Sequence, residues 1–242
     1  MAHTRATRLS HLPAQAWAYA RMPAIARTVV RERLTYLSPV KLRRLHEALD
    51  EVNAGGVPGA IVEFGIALGG SATALATRRG DRSFHGFDVF GQIPAPDAAK
   101  DGERAVRRYA VIAAGQSRGI RGDDYYGYMT DLQQRVTATM GEHGVTVDGQ
   151  HVALHRGLFD ETWPTVADRI PAIALAHIDC DWHDPVAYCL AAIAPKVQPG
   201  GIVVLDDYLD YEGCRTAVDE FLGDHPEFVR RHLDGNLSLR RV

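Results

Sequence analysis

The chain has little cysteine, no long apolar run and no surplus of positive charge, and each lack excludes something. Its three cysteines, Cys180, Cys189 and Cys214, are an odd number without metal-ligand pairs. A disulfide framework and a zinc ribbon are thereby excluded, and reduced thiols in a cytoplasmic protein are expected. No apolar stretch approaches the ~20 residues that a membrane span needs. The opening residues, MAHTRATRLSHLPAQAWAYARM, hold no uninterrupted apolar segment, so no signal peptide is expected. With 27 Lys and Arg against 30 Asp and Glu, the formal charge is −3. That balance argues against nucleic acid or a membrane surface as the general partner. Two nucleotide fingerprints are missing as well. The first glycine turn has Gly65, Gly69 and Gly70, which is not G-x-G-x-x-G, and no Lys-Ser/Thr follows it as in a Walker A loop.

What is present is the patterning of an α/β protein. The 242 residues suffice for one large domain. Residues 1–58 read as a helical, arginine-rich segment, a cover or a self-association element. Within it SPVKLRRLHEALDEV starts on Ser38 and Pro39 and repeats Leu42, Leu45 and Leu49 on one face. Over 59–242, short apolar strands alternate with helices: AIVEFG (60–65), SFHGFD (83–88), HVALH (151–155), AIALAHID (172–179) and GIVVLDD (201–207). The helix DPVAYCLAAIAPKV is expected to stop at QPGG, and YEGCRTAVDEFL is a further helix. The tail EFVRRHLDGNLSLRRV reads as two strands joined at Asp234-Gly235. Alternation of this kind implies a parallel sheet, and a tight turn makes its last two strands antiparallel. The expectation is a Rossmann-like, seven-stranded, mostly parallel sheet with a C-terminal antiparallel hairpin, in preference to a plain doubly wound fold. Residues 89–130 break the alternation. They are rich in Gly, Pro and charge yet contain Tyr125, Tyr126 and Tyr128. An insertion of that length is read as a lid over bound ligands, with DLQQRVTATMGEHG as the crossover helix behind it.

In open parallel sheets ligands sit beyond the carboxyl ends of the strands. Here those ends carry acids. Glu63 precedes the glycine turn EFGIALGGS, an arrangement typical of S-adenosylmethionine sites, and Asp88 ends the second strand where a carboxylate can accept ribose hydroxyls. Asp179 ends the fourth strand, and Asp206 and Asp207 end the fifth. If those strands are neighbours, about 4.8 Å apart, their carboxylates converge and need a cation. Oxygen ligands select a hard ion, most naturally Mg²⁺. His177 and His183 flank the acids and keep a transition-metal site open as the competing picture. Asp181 is an alternative ligand or a supporting acid, and Asp184 before Pro185 is expected to cap the next helix.

Together, VEFGIALGGSA, GFDVFGQIPAP, GLFDETWP and HIDCDWHDPVAYCLAAIAPKVQPGGIVVLDDYLDYEGCRTAVDEFL resemble the macrocin O-methyltransferase family, which includes macrolide-sugar and noviose O-methyltransferases. The resemblance spans about residues 34–223. It implies a class I methyltransferase fold over 59–242, S-adenosylmethionine as methyl donor and Mg²⁺ held by Asp179, Asp206 and Asp207. It also implies Asp179 as general base, and Glu63, Gly65, Ser71, Asp88 and Asp160 as cofactor-binding residues. The family often has Tyr where this chain has His183, which adds His183 as a second candidate proton acceptor. A hydroxylated small molecule, a sugar or a glycoside, is the implied acceptor, antibiotic biosynthesis the implied setting and a homodimer or larger assembly the implied state. Two other readings compete: an NAD-dependent oxidoreductase, against which the missing fingerprint speaks, and a catalytically inactive methyltransferase-like binding protein, against which the intact acids speak.

Overall fold

The computed structural model describes residues 12–242, so the first part of the arginine-rich segment lies outside the described residues. Helices α1 (Leu12–Arg21), α2 (Ala24–Arg31) and α3 (Pro39–Ala54) precede β1 (Ala60–Phe64). There follow α4 (Gly70–Thr77), β2 (Phe84–Asp88), α5 (Ala98–Ala113), α6 (Leu132–Glu142), β3 (Val152–Arg156) and α7 (Phe159–Val166). The chain ends with β4 (Ile173–Ile178), α8 (His183–Ile193), β5 (Val197–Leu205), α9 (Glu212–Asp224), β6 (Phe228–Asp234) and β7 (Asn236–Arg241). Across the sheet the order is β3-β2-β1-β4-β5-β7-β6. The first five strands are parallel, and β7 runs antiparallel to both β5 and β6. The mostly parallel sheet and its terminal hairpin are as the sequence pattern implies. Gly235 closes the hairpin with φ +79°, a conformation that costs glycine little.

Both faces of the sheet are covered, and the strands read accordingly. All five residues of β1 are buried. Ile61 packs on one side with Leu42, Leu45 and Leu49 of α3 and Leu75 of α4. Val62 and Phe64 pack on the other with Leu190 of α8 and Phe221 of α9. Each such burial contributes about 1.5–3 kcal/mol of transfer free energy. Ser38 Oγ accepts from Lys41 N at 3.3 Å and Pro39 fills the first helical position, so α3 begins where its residues dictate. All three cysteines are free. No helix among the described residues is long and apolar enough to cross a membrane.

Two local expectations need correction. Asp184 does not cap α8, because it lies inside the first turn with its carboxylate on Lys100 Nζ and His183 Nδ1. The cap comes from far away: Asp101 Oδ1 accepts from His183 N at 2.6 Å. QPGG does not stop α8, which ends at Ile193; residues 198–201 lie in the first half of β5. The insertion carries a helix of its own. Asp97 caps α5 by accepting from Ala99 N at 2.8 Å, and the helix runs on past a break at Gly102. Its only buried apolar residues are Ala105 and Ile112, too sparse a stripe to announce a helix.

Candidate active site

Phe64, Ile178 and Leu205 are register partners across β1, β4 and β5. The residues that follow them, Gly65, Asp179 and Asp206, therefore leave the sheet side by side. The ladder carries on into them: Asp179 N donates to Phe64 O at 2.9 Å and Asp206 N to Ile178 O at 3.0 Å. Gly65, at φ +90°, is required by this closeness, since a Cβ there would run into the carbonyl oxygen of Asp179. Asp207 begins a short 3₁₀ turn just past β5.

Carboxylate oxygens of Asp179, Asp206 and Asp207 lie within 4.8 Å of one another. Burial, then the charges of their neighbours, push Asp179 and Asp207 well above the usual carboxylate range. Asp181, at φ +60°, turns its N–H to Asp207 Oδ2 at 3.1 Å and is itself pushed up to about 6 by burial and by Asp206. One cation already attends the group: Lys41 Nζ of α3 donates to Asp206 Oδ2 at 2.6 Å and to Asp210 Oδ2 at 2.7 Å. Asp206 Oδ1 is buried without any partner. Three converging oxygen donors, one of them orphaned, fit a hard divalent cation such as Mg²⁺. His177 does not join them. It lies in the sheet core, fully buried, with Nδ1 2.8 Å from Glu63 Oε1.

The acids line a cavity of about 680 Å³, a volume suited to small-molecule ligands. Gly65, beside Asp179, lines it too, as do Asp88 at the end of β2 and Asp160 in the first turn of α7. Asp88 is 7% exposed, and its carboxylate holds the surrounding loops. Oδ2 accepts from Ile66 N (2.7 Å) and Ala67 N (3.0 Å), and Oδ1 from Phe90 N (2.6 Å). Ala67 and Phe90 take left-handed backbone, at φ +47° and +48°, a strained conformation that accompanies these bonds. Burial raises the pKa of Asp88 while the three amides pull it down. With one amide on Oδ1, a further acceptor position is left there for a ribose hydroxyl.

Three of the expected site residues lie elsewhere. Glu63 and Ser71 are buried and do not line the cavity: Glu63 faces His177 inside the sheet, and Ser71 lies in the first turn of α4. His183 turns away from Asp179. Its Nδ1 is 2.8 Å from Asp184 Oδ1 and its Nε2 3.0 Å from Glu220 Oε2 of α9. Burial works against its proton, but the two carboxylates outweigh it and hold the imidazole above its ordinary pKa. Of the tyrosines in the insertion, Tyr125 and Tyr126 line the cavity, while Tyr128 Oη donates to Ile112 O at 2.7 Å and so packs the insertion itself. Sequence reasoning missed Lys41, Arg104 and Arg108, which all line the cavity from helices. Nothing in their spacing marks them, because their approach to the strand ends is set by helix packing.

The family described as Macrocin-O-methyltransferase (TylF) matches residues 15–227. The 8-demethyl-8-(2,3-dimethoxy-alpha-L-rhamnosyl)-tetracenomycin-C 4'-O-methyltransferase of Streptomyces olivaceus is 28% identical over 206 residues, covering 83% of this chain and 69% of that one. The demethyldecarbamoylnovobiocin O-methyltransferase of Streptomyces niveus is 27% identical over 198 residues, covering 77% and 67% respectively. The solved structure of the O-methyltransferase NovP superposes with a TM-score of 0.68 at 24% identity, over 86% of this chain and 82% of that one, a likeness of fold.

Proposed function

The chain belongs to the macrocin-O-methyltransferase family, and from that premise we propose that it moves the methyl group of S-adenosylmethionine to a hydroxyl of a sugar or similar polyhydroxylated natural product, with Mg²⁺ as a second requirement. The observation that carries the proposal is the convergence of Asp179, Asp206 and Asp207 in a cavity that Gly65 and Asp88 also line. The family relatives named as methyltransferases of glycosylated antibiotics support the acceptor class.

In this reading Asp88 accepts from the ribose, Gly65 lets the methionine portion approach the strand ends, and Asp160 stands on the adenosine side. Asp179, Asp206 and Asp207 would hold the cation, which lowers the pKa of an acceptor hydroxyl placed there. Asp179, just past the end of β4 and beside the acceptor position, takes the hydroxyl proton. The acceptor oxygen then forms a bond to the methyl carbon as the carbon–sulfur bond breaks, and the sulfonium leaves as a neutral thioether. Alignment of oxygen, carbon and sulfur is the main contribution asked of the cavity walls.

One observation favours a second version. Lys41 already neutralises part of the acidic group, so transfer assisted by this ammonium alone is the metal-free alternative. Titration calorimetry with S-adenosylmethionine and with NAD, followed by a screen of hydroxylated glycosides with labelled methyl donor in Mg²⁺ and in EDTA, tests both versions. Tight binding of NAD with none of the sulfonium would contradict either.

A further inference from the structure

Two cations of the lid face the cavity without a carboxylate to hold. Arg104 and Arg108 lie four residues apart on α5, so they share one face and are separated by about 6 Å along its axis. Both line the cavity. The Arg104 guanidinium lies 5.1 Å over the ring of Tyr211 and donates to the backbone carbonyl of Asp210. The Arg108 guanidinium lies 5.6 Å over Tyr125 and makes no hydrogen bond or ion pair with the described residues, although it is half-buried. Elsewhere the pattern is different: Arg44, Arg78 and Arg230 each hold a carboxylate at 2.6–2.7 Å. Across the cavity Lys41 engages Asp206 and Asp210, and the Asp181 amide engages Asp207; the Arg108 charge acts on Asp181 without pairing to it.

We propose that Arg104 and Arg108 form an anion subsite, and that the acceptor carries a phosphate ester, of the nucleoside-diphosphate kind. The inference rests on the methyltransferase reading and names its substrate class. A guanidinium presents a planar fork of donors that matches phosphate oxygens, and two forks on one face of α5 lining one cavity suit a diphosphate better than a single carboxylate. Stacking on Tyr211 and Tyr125 holds the forks in place before any ligand arrives, so little side-chain freedom is lost on binding. The position is on the acceptor side, since Arg104 touches Asp210 and Tyr211 next to the acid group rather than Asp88. A sugar bearing such a diphosphate is methylated before any glycosyl transfer removes it.

The test is titration calorimetry on the full chain in EDTA, so that no metal bridges ligand and acids, with uridine diphosphate, uridine and S-adenosylhomocysteine as probes. The expected result is binding of uridine diphosphate at least about tenfold tighter than uridine, weakened about tenfold or more by Arg104→Gln and by Arg108→Gln. S-adenosylhomocysteine binding is unchanged in both variants, which also shows that they fold. Equal affinity for uridine and its diphosphate overturns the proposal, and so does a diphosphate affinity indifferent to both substitutions. A loss of S-adenosylhomocysteine affinity in a folded Arg108→Gln variant overturns it too, by assigning the arginine to the cofactor's carboxylate. An unaltered chain that binds S-adenosylhomocysteine and no diphosphate defeats the subsite alone; one that binds neither defeats the methyltransferase reading beneath it.

Discussion

Lys41 Nζ stands 2.6 Å from Asp206 Oδ2, although 165 residues separate the two. The pair is largely shielded, with side chains 15% and 6% exposed, and it binds α3 to the end of β5. Replacing Lys41 with Met leaves Asp206 buried among Asp179 and Asp207 with no counter-charge. The expected cost is about 2–3 kcal/mol, a fall in Tm of about 5–10 °C in EDTA. A divalent cation then substitutes for the ammonium, so Mg²⁺ raises the Tm of Lys41→Met more than that of the unaltered chain. Thermal melts with and without Mg²⁺ check this; equal shifts in the two proteins would remove the cation from the account.

Asp88→Asn tests the cofactor end. The amide replaces one acceptor oxygen with a donor that faces either the Ile66 and Ala67 amides or the Phe90 amide. Leaving such a buried donor unmatched costs about 1–3 kcal/mol. Affinity for S-adenosylmethionine is expected to fall about 10- to 100-fold by calorimetry, with less effect on acceptor binding.

Asp101 and Gly213 join α5 of the insertion to the starts of α8 and α9. Asp101 Oδ1 accepts from His183 N, and a Cβ on Gly213 would run into that same oxygen. Gly213→Ala is expected to destabilise by about 1–3 kcal/mol through overpacking. Because the displaced carboxylate also anchors α5, KM for the acceptor rises while S-adenosylhomocysteine affinity holds. Chemical denaturation and steady-state kinetics together separate this from general unfolding.

Three buried histidines are expected to withdraw stability on acidification. Burial, with the neighbouring Arg78 charge, lowers the pKa of His46 to about 3. Burial, then Arg169, lowers His85 to about 4; burial, then His85 and Arg169, lowers His155 to about 4. At these three histidines the unfolded chain binds more protons than the folded one between about pH 6.5 and these values, so their contribution to stability rises with pH through that window. It is complete above about pH 6.5 and is lost progressively as the pH drops toward 4, while the raised Asp179, Asp181 and Asp207 work in the opposite direction. Urea unfolding at pH 5 and pH 7.5 of the unaltered chain and of His85→Phe isolates the histidine share: the rise in stability from pH 5 to pH 7.5 is smaller in the variant, and an equal pH dependence in the two proteins contradicts it.

The parts of the site legible in the sequence are those that strands deliver. Asp88, Asp179, Asp206 and Asp207 end apolar runs, and parallel strands bring such ends together by rule. The hairpin at Asp234-Gly235 and the Ser38 cap are local and were equally readable. What helices deliver was not: Lys41, Asp101, Arg104 and Arg108 reach the strand ends only through packing of α3 and α5 on the rest. Asp184 was expected to cap α8 from its place before Pro185, and His183 to serve Asp179 from its place beside the acids. The first turn of α8 directs them instead toward Glu220 and Lys100. Glu63 has the sequence context of a ligand-side acid, yet its register partner His177 holds it inside the sheet.

The most direct test measures methyl transfer from labelled S-adenosylmethionine to an accepted hydroxyl compound as Mg²⁺ is added back to EDTA-treated protein. The account predicts activity restored in a saturable manner by Mg²⁺ in the unaltered chain. It predicts a loss of about 10³-fold or more in Asp206→Asn and Asp179→Asn, with S-adenosylhomocysteine still bound. Full activity in EDTA, unaffected by Asp206→Asn, would contradict it.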